Sequence, residues 1–230
     1  MADRAKRNFR CLATFERQLR AEGFAFVAGT DEAGRGSLFG PVFAAAAILS
    51  PERPIPGLRD SKLLDPARRE ELAAQIRERS VAWAVASVDA FVIDRINIYQ
   101  ASRLAMQRAI EQLSPAPDSL LVDAVRLDTP LPQIPLIHGD ARSQAIAAAS
   151  ILARNEFVTR LSHLGKQFDT VFPKGASAAV DAVAKEFVAR RGAADLVKVA
   201  KTHFRTALRA QGLPEPPKVE WKKRPPTSPE

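Results

Sequence analysis

The sequence predicts an α/β fold in which one mixed sheet is flanked by helices and followed by a helical C-terminal part. Short apolar runs bounded by Gly and Pro come early, helical patterns lie between and after them, and no Gly-rich linker divides the chain. With 230 residues, 46% of them hydrophobic, the chain can form one sizeable core. We therefore expect one main domain over residues 23–212, after an N-terminal amphipathic helix within 1–22 and before a flexible tail over 213–230.

The N-terminal elements follow from hydrophobic periodicity. Apolar residues recur at helical spacing before Gly23: Phe9, Leu12, Phe15 and Leu19. The apolar runs 24–30 and 41–49 predict two buried strands. Asp65 and Pro66 are typical of the N-cap and first turn of a helix, here running to residue 80. The alternating run 81–88 predicts a third strand.

The second half of the chain is mostly helical in pattern. Two helical stretches extend to Leu113, a short strand covers 119–125, and a strand end is expected at 135–140. The helices that follow are expected at about 142–164, 177–191 and 194–210. Residues 213–230 are rich in Pro, Lys and Arg and have too little apolar surface to offset ordering entropy, which predicts a flexible tail.

Charge and cysteine content restrict the class of protein. The net charge of +8 indicates a polyanionic partner such as nucleic acid. The single cysteine, Cys11, cannot form an internal disulfide or a cysteine zinc cage, so we expect a reducing, cytoplasmic location. No apolar run is long enough for a signal peptide or a bilayer span, so no membrane is expected.

Four acids are candidates for a metal site. Asp31, Asp123 and Asp140 lie at predicted strand ends, where α/β folds gather functional groups, and Glu32 follows Asp31. Carboxylates suit Mg²⁺ or Mn²⁺, and a pair of such ions hydrolyses phosphodiesters. Asp140 could instead be the N-cap of the next helix, and Asp123 could be a turn former.

The motif GTDEAGRGSLFGP, residues 29–41, adds two constraints. Consecutive side chains on a regular strand point to opposite faces, so a shared site for Asp31 and Glu32 predicts that the strand ends or bulges at Glu32. The glycine spacing differs from a dinucleotide-binding motif, and the apolar run after it predicts a strand and not a helix. The alternative is that Gly34, Arg35 and Gly36 let the backbone approach a sugar or phosphate closely.

Several motifs in this order resemble ribonuclease HII over about residues 15–165: GTDEAGRGSLFGPV, DSKLL, IDRINIYQASRLAMQRAI, LLVDAVRL and GDARSQAIAAASILAR. The resemblance implies a ribonuclease H-like fold. It also implies hydrolysis of the RNA strand of RNA/DNA hybrids with divalent metal, leaving 3′-hydroxyl and 5′-phosphate ends. The four catalytic and metal-binding acids would be Asp31, Glu32, Asp123 and Asp140, with two Mg²⁺ or Mn²⁺ ions. The expected protein is a cytoplasmic monomer that acts in DNA replication and repair.

The resemblance also implies residues that contact the substrate. Gly34, Arg35 and Gly36 match the family's Gly-Arg-Gly sensor of the ribose 2′-hydroxyl. Further positions match residues near the nucleic acid backbone: Lys62, Asn97, Arg142 and Ser143.

After residue 165 the sequence is similar to ribonuclease HIII, with Ala176 where type II has a tyrosine that stacks at the RNA–DNA junction. One alternative is therefore a type III-like specificity for runs of ribonucleotides without excision of a single ribonucleotide. The other is a non-catalytic nucleic-acid-binding protein.

Overall fold

The computed structural model describes residues 11–175 and 177–216. Its sheet has five strands, namely β1 (Val27–Ala33), β2 (Val42–Ile48), β3 (Ala82–Val88), β4 (Ser119–Asp123) and β5 (Gln133–Leu136). The strand order is β3-β2-β1-β4-β5. β2 pairs antiparallel with β1 and β3, whereas β4 pairs parallel with β1 and β5. The sheet is therefore mixed, as predicted.

The two central strands are buried on both faces. In β2, Ala44 and Ala46 belong to one hydrophobic cluster, and Ala45 and Ala47 belong to the cluster on the other face. This two-sided burial explains why β2 has a continuous apolar sequence and no polar alternation. In β1, a Cβ at Gly29 would lie 2.2 Å from a backbone carbon of Ala145, so the strand and the next layer approach too closely for any side chain there.

Helices cover both faces of the sheet. Their bounds are α1 (Thr14–Ala21), α2 (Pro66–Arg79), α3 (Ala90–Ile96), α4 (Ile98–Glu111), α5 (Gln144–Phe168), α6 (Ala178–Arg191), α7 (Ala193–Val199) and α8 (Arg205–Ala210). The long α5 lies across β1 and β2 on one face, and α4 covers β2 and β3 on the other. Within the described ranges, no helix is both long enough and apolar enough to cross a membrane.

The structure corrects several predicted element bounds. For example, β1, expected at 24–30, runs from Val27 to Ala33 and so contains Asp31 and Glu32. The N-terminal helix begins only at Thr14 among the described residues, and residues 1–10 lie outside them. β5 ends at Leu136, because the chain turns through His138, whose φ is 56°. The single helix expected at 194–210 is two helices, α7 and α8, because Ala200 forms a bridge with Phe39 and leaves the helical path.

Candidate active site

Three carboxylates meet where β1 and β4 run side by side. Asp31 and Glu32 belong to β1, and Asp123 is the last residue of β4. One oxygen of each side chain lies within 4.8 Å of the other two. Among residues 11–175 and 177–216, no other group of three Asp, Glu, His or Cys side chains is arranged in this way. The structure thus brings together three of the four predicted acids, which we call the carboxylate cluster.

The backbone of β1 stays regular through the acidic pair. From Asp31 to Ala33 it keeps an unbroken antiparallel register with β2, so the expected strand end or bulge at Glu32 is wrong. The Asp31 carboxylate lies against the backbone of its own strand, where its Oδ1 accepts the backbone N–H of Glu32 at 2.7 Å. Side-chain torsions, and not a backbone irregularity, therefore bring the two carboxylates together.

Asp31 is the most buried acid of the carboxylate cluster, with only 5% of its surface exposed. Burial raises the pKa of Asp31 well above its ordinary value, and the negative charges of Glu32 and Asp123 raise it further. A hydrogen bond with Ser150 on α5 acts in the opposite direction. The Ser150 hydroxyl also lies 2.9 Å from that of Ser61, which fixes its position. Ionised Asp31 is therefore costly to hold without a nearby cation.

The other two acids of the cluster have individual partners. Burial raises the pKa of Glu32, whereas Arg35, whose Nη1 lies 3.4 Å from Oε1, lowers it. Burial also raises the pKa of Asp123, and the backbone N–H of Gly139, which donates to its Oδ1 at 2.7 Å, lowers it. Asp123 therefore links the end of β4 to the turn that precedes α5. Asp123 is therefore not only a turn former, because its side chain also belongs to the carboxylate cluster.

Asp140 lies beside the carboxylate cluster but outside it. It sits in the one-turn 3₁₀ helix Gly139–Ala141 and is buried. Burial and the neighbouring Asp60 raise the pKa of Asp140 to about 6, while Lys62, with Nζ 4.0 Å from Oδ2, opposes the shift. The alternative that Asp140 caps α5 is wrong, because the N-cap is Ser143. Asp60, which the sequence analysis did not single out, is thus a direct neighbour of Asp140.

The Gly-Arg-Gly turn follows directly after β1. Gly34 has φ +87°, and a Cβ there would lie 2.7 Å from both the carbonyl oxygen of Pro41 and the ring of Phe157, so only glycine fits. Gly36 has open space around it. The Arg35 guanidinium is half-buried and lies 5.8 Å from the ring centroid of the exposed Tyr99. The only tyrosine of the chain is thus a neighbour of this turn.

The other predicted substrate residues differ in their access to solvent. Lys62 and Asn97 are exposed, and Asn97 caps α4 by accepting the backbone N–H of Gln100. Arg142 is half-buried with its guanidinium over the ring of Phe15. These three side chains come from three separate segments of the chain.

Ser143 does not fit its predicted role. Its side chain is fully buried, and its hydroxyl donates to Oε1 of Glu16 at 2.7 Å and caps α5 by accepting the N–H of Ile146. The same Glu16 oxygen accepts the backbone N–H of Ala145. A side chain buried in this way is not presented to a nucleic acid, so the structure gives no support to substrate contact by the Ser143 hydroxyl. Ser143 instead fixes the start of α5.

An open groove of about 520 Å³ lies beside Glu32. The Gly-Arg-Gly turn forms one part of its lining. The other lining residues come from distant segments: Lys62, Arg154, Phe157, Lys174 and Gly175. The groove therefore combines one carboxylate of the cluster with four basic side chains, two of which, Arg154 and Lys174, the sequence analysis did not single out.

The glycine-rich turn is anchored by a buried lysine that the sequence analysis also missed. Lys201 is completely buried, and its Nζ donates to the carbonyl oxygens of Ser37 and Gly40 at 2.7 Å each. Its backbone N–H donates to the carbonyl of Leu38. Burial lowers the pKa of Lys201 to about 7, opposed by the charge of Asp94. The segment between α7 and α8 thus holds the chain that follows the Gly-Arg-Gly turn.

Comparison with known proteins gives consistent matches. The sequence model of a family described as ribonuclease HII matches residues 28–207. A ribonuclease HII of Solibacter usitatus (strain Ellin6076) is 64% identical over 166 residues, which cover 72% of this chain and 71% of that protein. A ribonuclease HII of Koribacter versatilis (strain Ellin345) is 47% identical over 178 residues, covering 76% and 70%.

A solved structure has the same fold. It is the crystal structure of Bst-RNase HIII in complex with Mn²⁺, which superposes with a TM-score of 0.70 at 26% sequence identity. The superposition covers 81% of this chain and 69% of the other. The mixed sheet flanked by helices is therefore of the ribonuclease H type, as the resemblance implied.

Proposed function

The chain belongs to the ribonuclease HII family and is a ribonuclease H-type hydrolase, and from this premise we propose that it cuts the RNA strand of RNA/DNA hybrids in a reaction that depends on divalent metal. The products are expected to carry 3′-hydroxyl and 5′-phosphate ends. The observation that supports this proposal most strongly is the carboxylate cluster, with one oxygen from each of Asp31, Glu32 and Asp123 within 4.8 Å of the others.

The chemistry of the cluster fits a hard divalent cation. Its donors are all carboxylate oxygens, the ligand type that Mg²⁺ and Mn²⁺ prefer. Burial and mutual repulsion raise the pKa of Asp31, which means that its negative charge is not compensated by the protein. We propose that Asp31, Glu32 and Asp123 hold the metal and that Asp140 completes the set from the adjoining turn. The Mn²⁺ complex of Bst-RNase HIII supports this choice of ion.

Two divalent ions held by these carboxylates would supply the Lewis acidity needed to activate a water molecule and to stabilise the leaving 3′-oxygen. The protein prepares the carboxylates for this task. The hydrogen bond from Gly139 fixes Asp123, and the hydrogen bond with Ser150 orients Asp31. Arg35 pairs with Glu32 and keeps its carboxylate at the rim of the groove. These contacts hold the acids in place before substrate arrives, which lowers the reorganisation needed in the transition state.

Recognition of RNA is proposed to depend on the turn beside the cluster. Gly34 permits the positive φ of the turn, Gly36 has open space beside its backbone, and Arg35 is half-buried at the groove. These residues are proposed to contact the ribose 2′-hydroxyl, the group that distinguishes RNA from DNA. Lys62, Asn97 and Arg142 are proposed to contact backbone phosphates, which carry most of the salt-dependent affinity of nucleic-acid-binding proteins.

The proposal is tested by incubating the protein with an end-labelled RNA/DNA hybrid in Mg²⁺ or Mn²⁺, and in EDTA. We expect cleavage of the RNA strand only with metal, and products whose RNA 3′ ends can be extended by a polymerase. Duplex DNA of the same sequence is the control and should remain intact. A non-catalytic binding protein would retain the hybrid in EDTA and give no product under any condition.

A second candidate is a type III-like specificity for runs of ribonucleotides. It is favoured by the similarity of the C-terminal sequence to ribonuclease HIII and by the structural match to Bst-RNase HIII. Ala176, which stands where type II has its tyrosine, lies outside the described residues. Comparison of a duplex with one ribonucleotide and a duplex with four separates the two specificities. Cleavage of only the second substrate supports the type III-like form.

We further propose that residues 23–212 form the catalytic domain, which agrees with the family match over 28–207. The enzyme is proposed to act as a monomer in the cytoplasm, where RNA joined to DNA arises during replication and repair. Light scattering coupled to size-exclusion chromatography should give the mass of one chain, 25.1 kDa. A mass of twice this value would contradict the monomer.

A further inference from the structure

Three basic residues gather at the groove beside Glu32 and directly behind it. Arg154 lies on α5, one turn after Ser150, and Lys174 lies in the segment between α5 and α6. Both line the groove beside Glu32. Arg69, on α2, is buried with 6% of its surface exposed and lies close enough to both for their charges to interact. We call these residues the basic triad.

The charges of the basic triad repel one another. Burial and the positive charge of Arg154 lower the pKa of Arg69, and the charge of Asp65 opposes this shift only in part. Burial, followed by the charges of Arg69 and Arg154, lowers the pKa of Lys174. None of the three forms a salt bridge with a carboxylate in the part of the chain that the structure describes. Like charges that lie close together are unfavourable unless an anion is bound between them.

The hydrogen-bonding capacity of the two arginines of the triad is only partly used. Within the described ranges, the Nε atoms of Arg69 and Arg154 are buried and have no hydrogen-bond partner. Arg69 makes a long contact from Nη1 to the carbonyl oxygen of Leu64 at 3.5 Å. Buried donors without an acceptor are rare in proteins, because each costs free energy unless a ligand or water supplies the acceptor. An anion with several oxygens would supply acceptors for these donors and would also offset the repulsion between the three positive charges.

From these observations we propose that Arg154 and Lys174, supported by the buried Arg69, form a binding site for a backbone phosphate of the nucleic acid. The site lies on the groove next to Glu32 and is separate from the carboxylate cluster, which would hold the metal. Guanidinium groups suit phosphate because their planar donors can bind two of its oxygens together. The proposal rests on the proposed function, since it assumes that the groove takes an RNA/DNA hybrid.

The salt dependence of hybrid binding tests the phosphate site directly. Binding of a fluorescein-labelled RNA/DNA hybrid is measured in EDTA at several KCl concentrations for the wild type, Arg154→Gln and Lys174→Gln. Each variant should reduce the slope of log K against log[KCl] by roughly 0.7 to 0.9, because one phosphate contact is lost. The affinity at low salt should fall about tenfold, the effect of one charge-assisted contact.

Lys166 provides a matched control on the same helix. It is exposed and lies three turns beyond Arg154, about 18 Å away along the axis. Lys166→Gln removes the same charge from the protein but should leave the slope unchanged. If all three variants keep the wild-type slope, or if all three reduce it equally, the assignment of a specific phosphate site is wrong. A lower melting temperature of Arg154→Gln with an unchanged slope would also overturn it, because the residue would then only support α5.

A phosphate of the nucleic acid backbone must be distinguished from free phosphate. Sodium phosphate should displace the hybrid from the wild type more strongly than NaCl of equal ionic strength, and this difference should disappear in the Arg154→Gln/Lys174→Gln double variant. If free phosphate stabilises the wild type and not the double variant, while the hybrid slopes are all equal, the site takes only free anions and the proposal fails.

The same measurements separate this proposal from the proposed function. Binding in EDTA does not depend on cleavage, so the slopes can be read whether or not the protein is an active nuclease. If the two variants have the expected lower slopes but the wild type never cuts the hybrid in Mn²⁺, the proposed function is contradicted and the phosphate site is retained. A wild type that cuts the hybrid while its variants keep the wild-type slope contradicts only the phosphate site.

Discussion

Replacing Asp31 with Asn should stabilise the metal-free protein while removing its function. Asp31 is almost completely buried, and one of its oxygens lies within 4.8 Å of oxygens of Glu32 and Asp123. Asn keeps a side-chain oxygen that can accept the backbone N–H of Glu32. Its NH₂ group replaces the other carboxylate oxygen and can donate to the Ser150 hydroxyl, and the negative charge is lost. The substitution thus removes electrostatic repulsion at little cost in hydrogen bonding or volume.

The size of the effect follows from the geometry. Two unit charges at this separation repel by roughly 3 kcal/mol at an effective dielectric constant of about 20. Proton uptake by the acids limits the penalty, since a carboxyl with a raised pKa becomes neutral before the full repulsion develops. We therefore expect Asp31→Asn to increase the free energy of unfolding by about 1–3 kcal/mol near neutral pH. For a domain of this size, that corresponds to a rise in melting temperature of roughly 2–10 °C.

The effect should depend on pH in a defined direction. The pKa of Asp31 is raised in the folded state above the value of 3.8 that it has in the unfolded chain. The fold therefore loses stability as the pH rises from 3.8 to the pKa of the folded state. Below that unfolded value the carboxyl is neutral in both states, and wild type and variant should have nearly equal stability. The stabilisation by Asn should then grow as the pH increases towards neutrality.

Thermal unfolding in EDTA at several pH values measures this difference. Adding Mn²⁺ provides the second half of the test, because a metal that binds the carboxylate cluster should raise the melting temperature of the wild type far more than that of Asp31→Asn. An Asn variant that is less stable than the wild type at neutral pH, or that gains as much from Mn²⁺, would refute the reasoning.

Three further predictions follow from the structure. Mn²⁺ affinity, measured by calorimetry, should fall as the pH drops below about 6. Asp140 and the other carboxyls whose pKa is raised then take up protons, which compete with the metal. An affinity that stays constant over this pH range would contradict the prediction. The wild type should become more stable above pH 7 by about 1 kcal/mol per pH unit, because the pKa of Lys201 is about 7 in the folded state and 10.5 in the unfolded chain. Lys201→Met should lose this gain. Denaturant unfolding of both proteins at pH 7 and pH 9 measures it, and an equal pH dependence of the two proteins would count against the prediction. Gly29→Ala should destabilise the fold by about 3 kcal/mol or more, because its Cβ would meet the backbone of Ala145 at 2.2 Å, whereas Gly36→Ala, with open space, serves as the control and should unfold like the wild type.

The core strands could be predicted from the sequence because their signal is local. The apolar runs before Asp31 and after Pro41 are long enough to indicate buried strands, and no other apolar run of strand length lies between them. The position of Asp123 at the end of β4 follows in the same way. Because β1 and β4 are parallel neighbours, their acids meet at the same edge of the sheet.

The features that sequence reasoning missed depend on contacts between distant segments. The break between α7 and α8 exists because residues 199–201 pair with residues 38–40, and helical periodicity carries no trace of such pairing. Ser143 is buried because Glu16, far away in sequence, covers it. The basic triad joins α2, α5 and the segment after α5, so no single stretch of sequence contains its pattern.

The regular register of β1 through Glu32 was missed for a different reason. Alternation of side chains describes the direction of each Cα–Cβ bond, but a carboxylate lies two or three bonds beyond it. The Asp31 side chain lies against the backbone of its own strand, and its oxygen comes close to one from Glu32 without any change in the backbone. Spacing rules for strands therefore do not determine which carboxylates share a site.

We propose that the carboxylate cluster is the metal-dependent active centre of an RNA/DNA hybrid nuclease. It is tested most directly by single-turnover cleavage of a labelled hybrid by the wild type, Asp31→Asn and Asp123→Asn in Mn²⁺, with hybrid binding in EDTA measured in parallel. We predict that both variants lose cleavage by at least about a thousandfold, the scale of removing a principal electrostatic contributor to catalysis, while they bind the hybrid as tightly as the wild type or more tightly. Cleavage by either variant at a rate near that of the wild type would contradict the account.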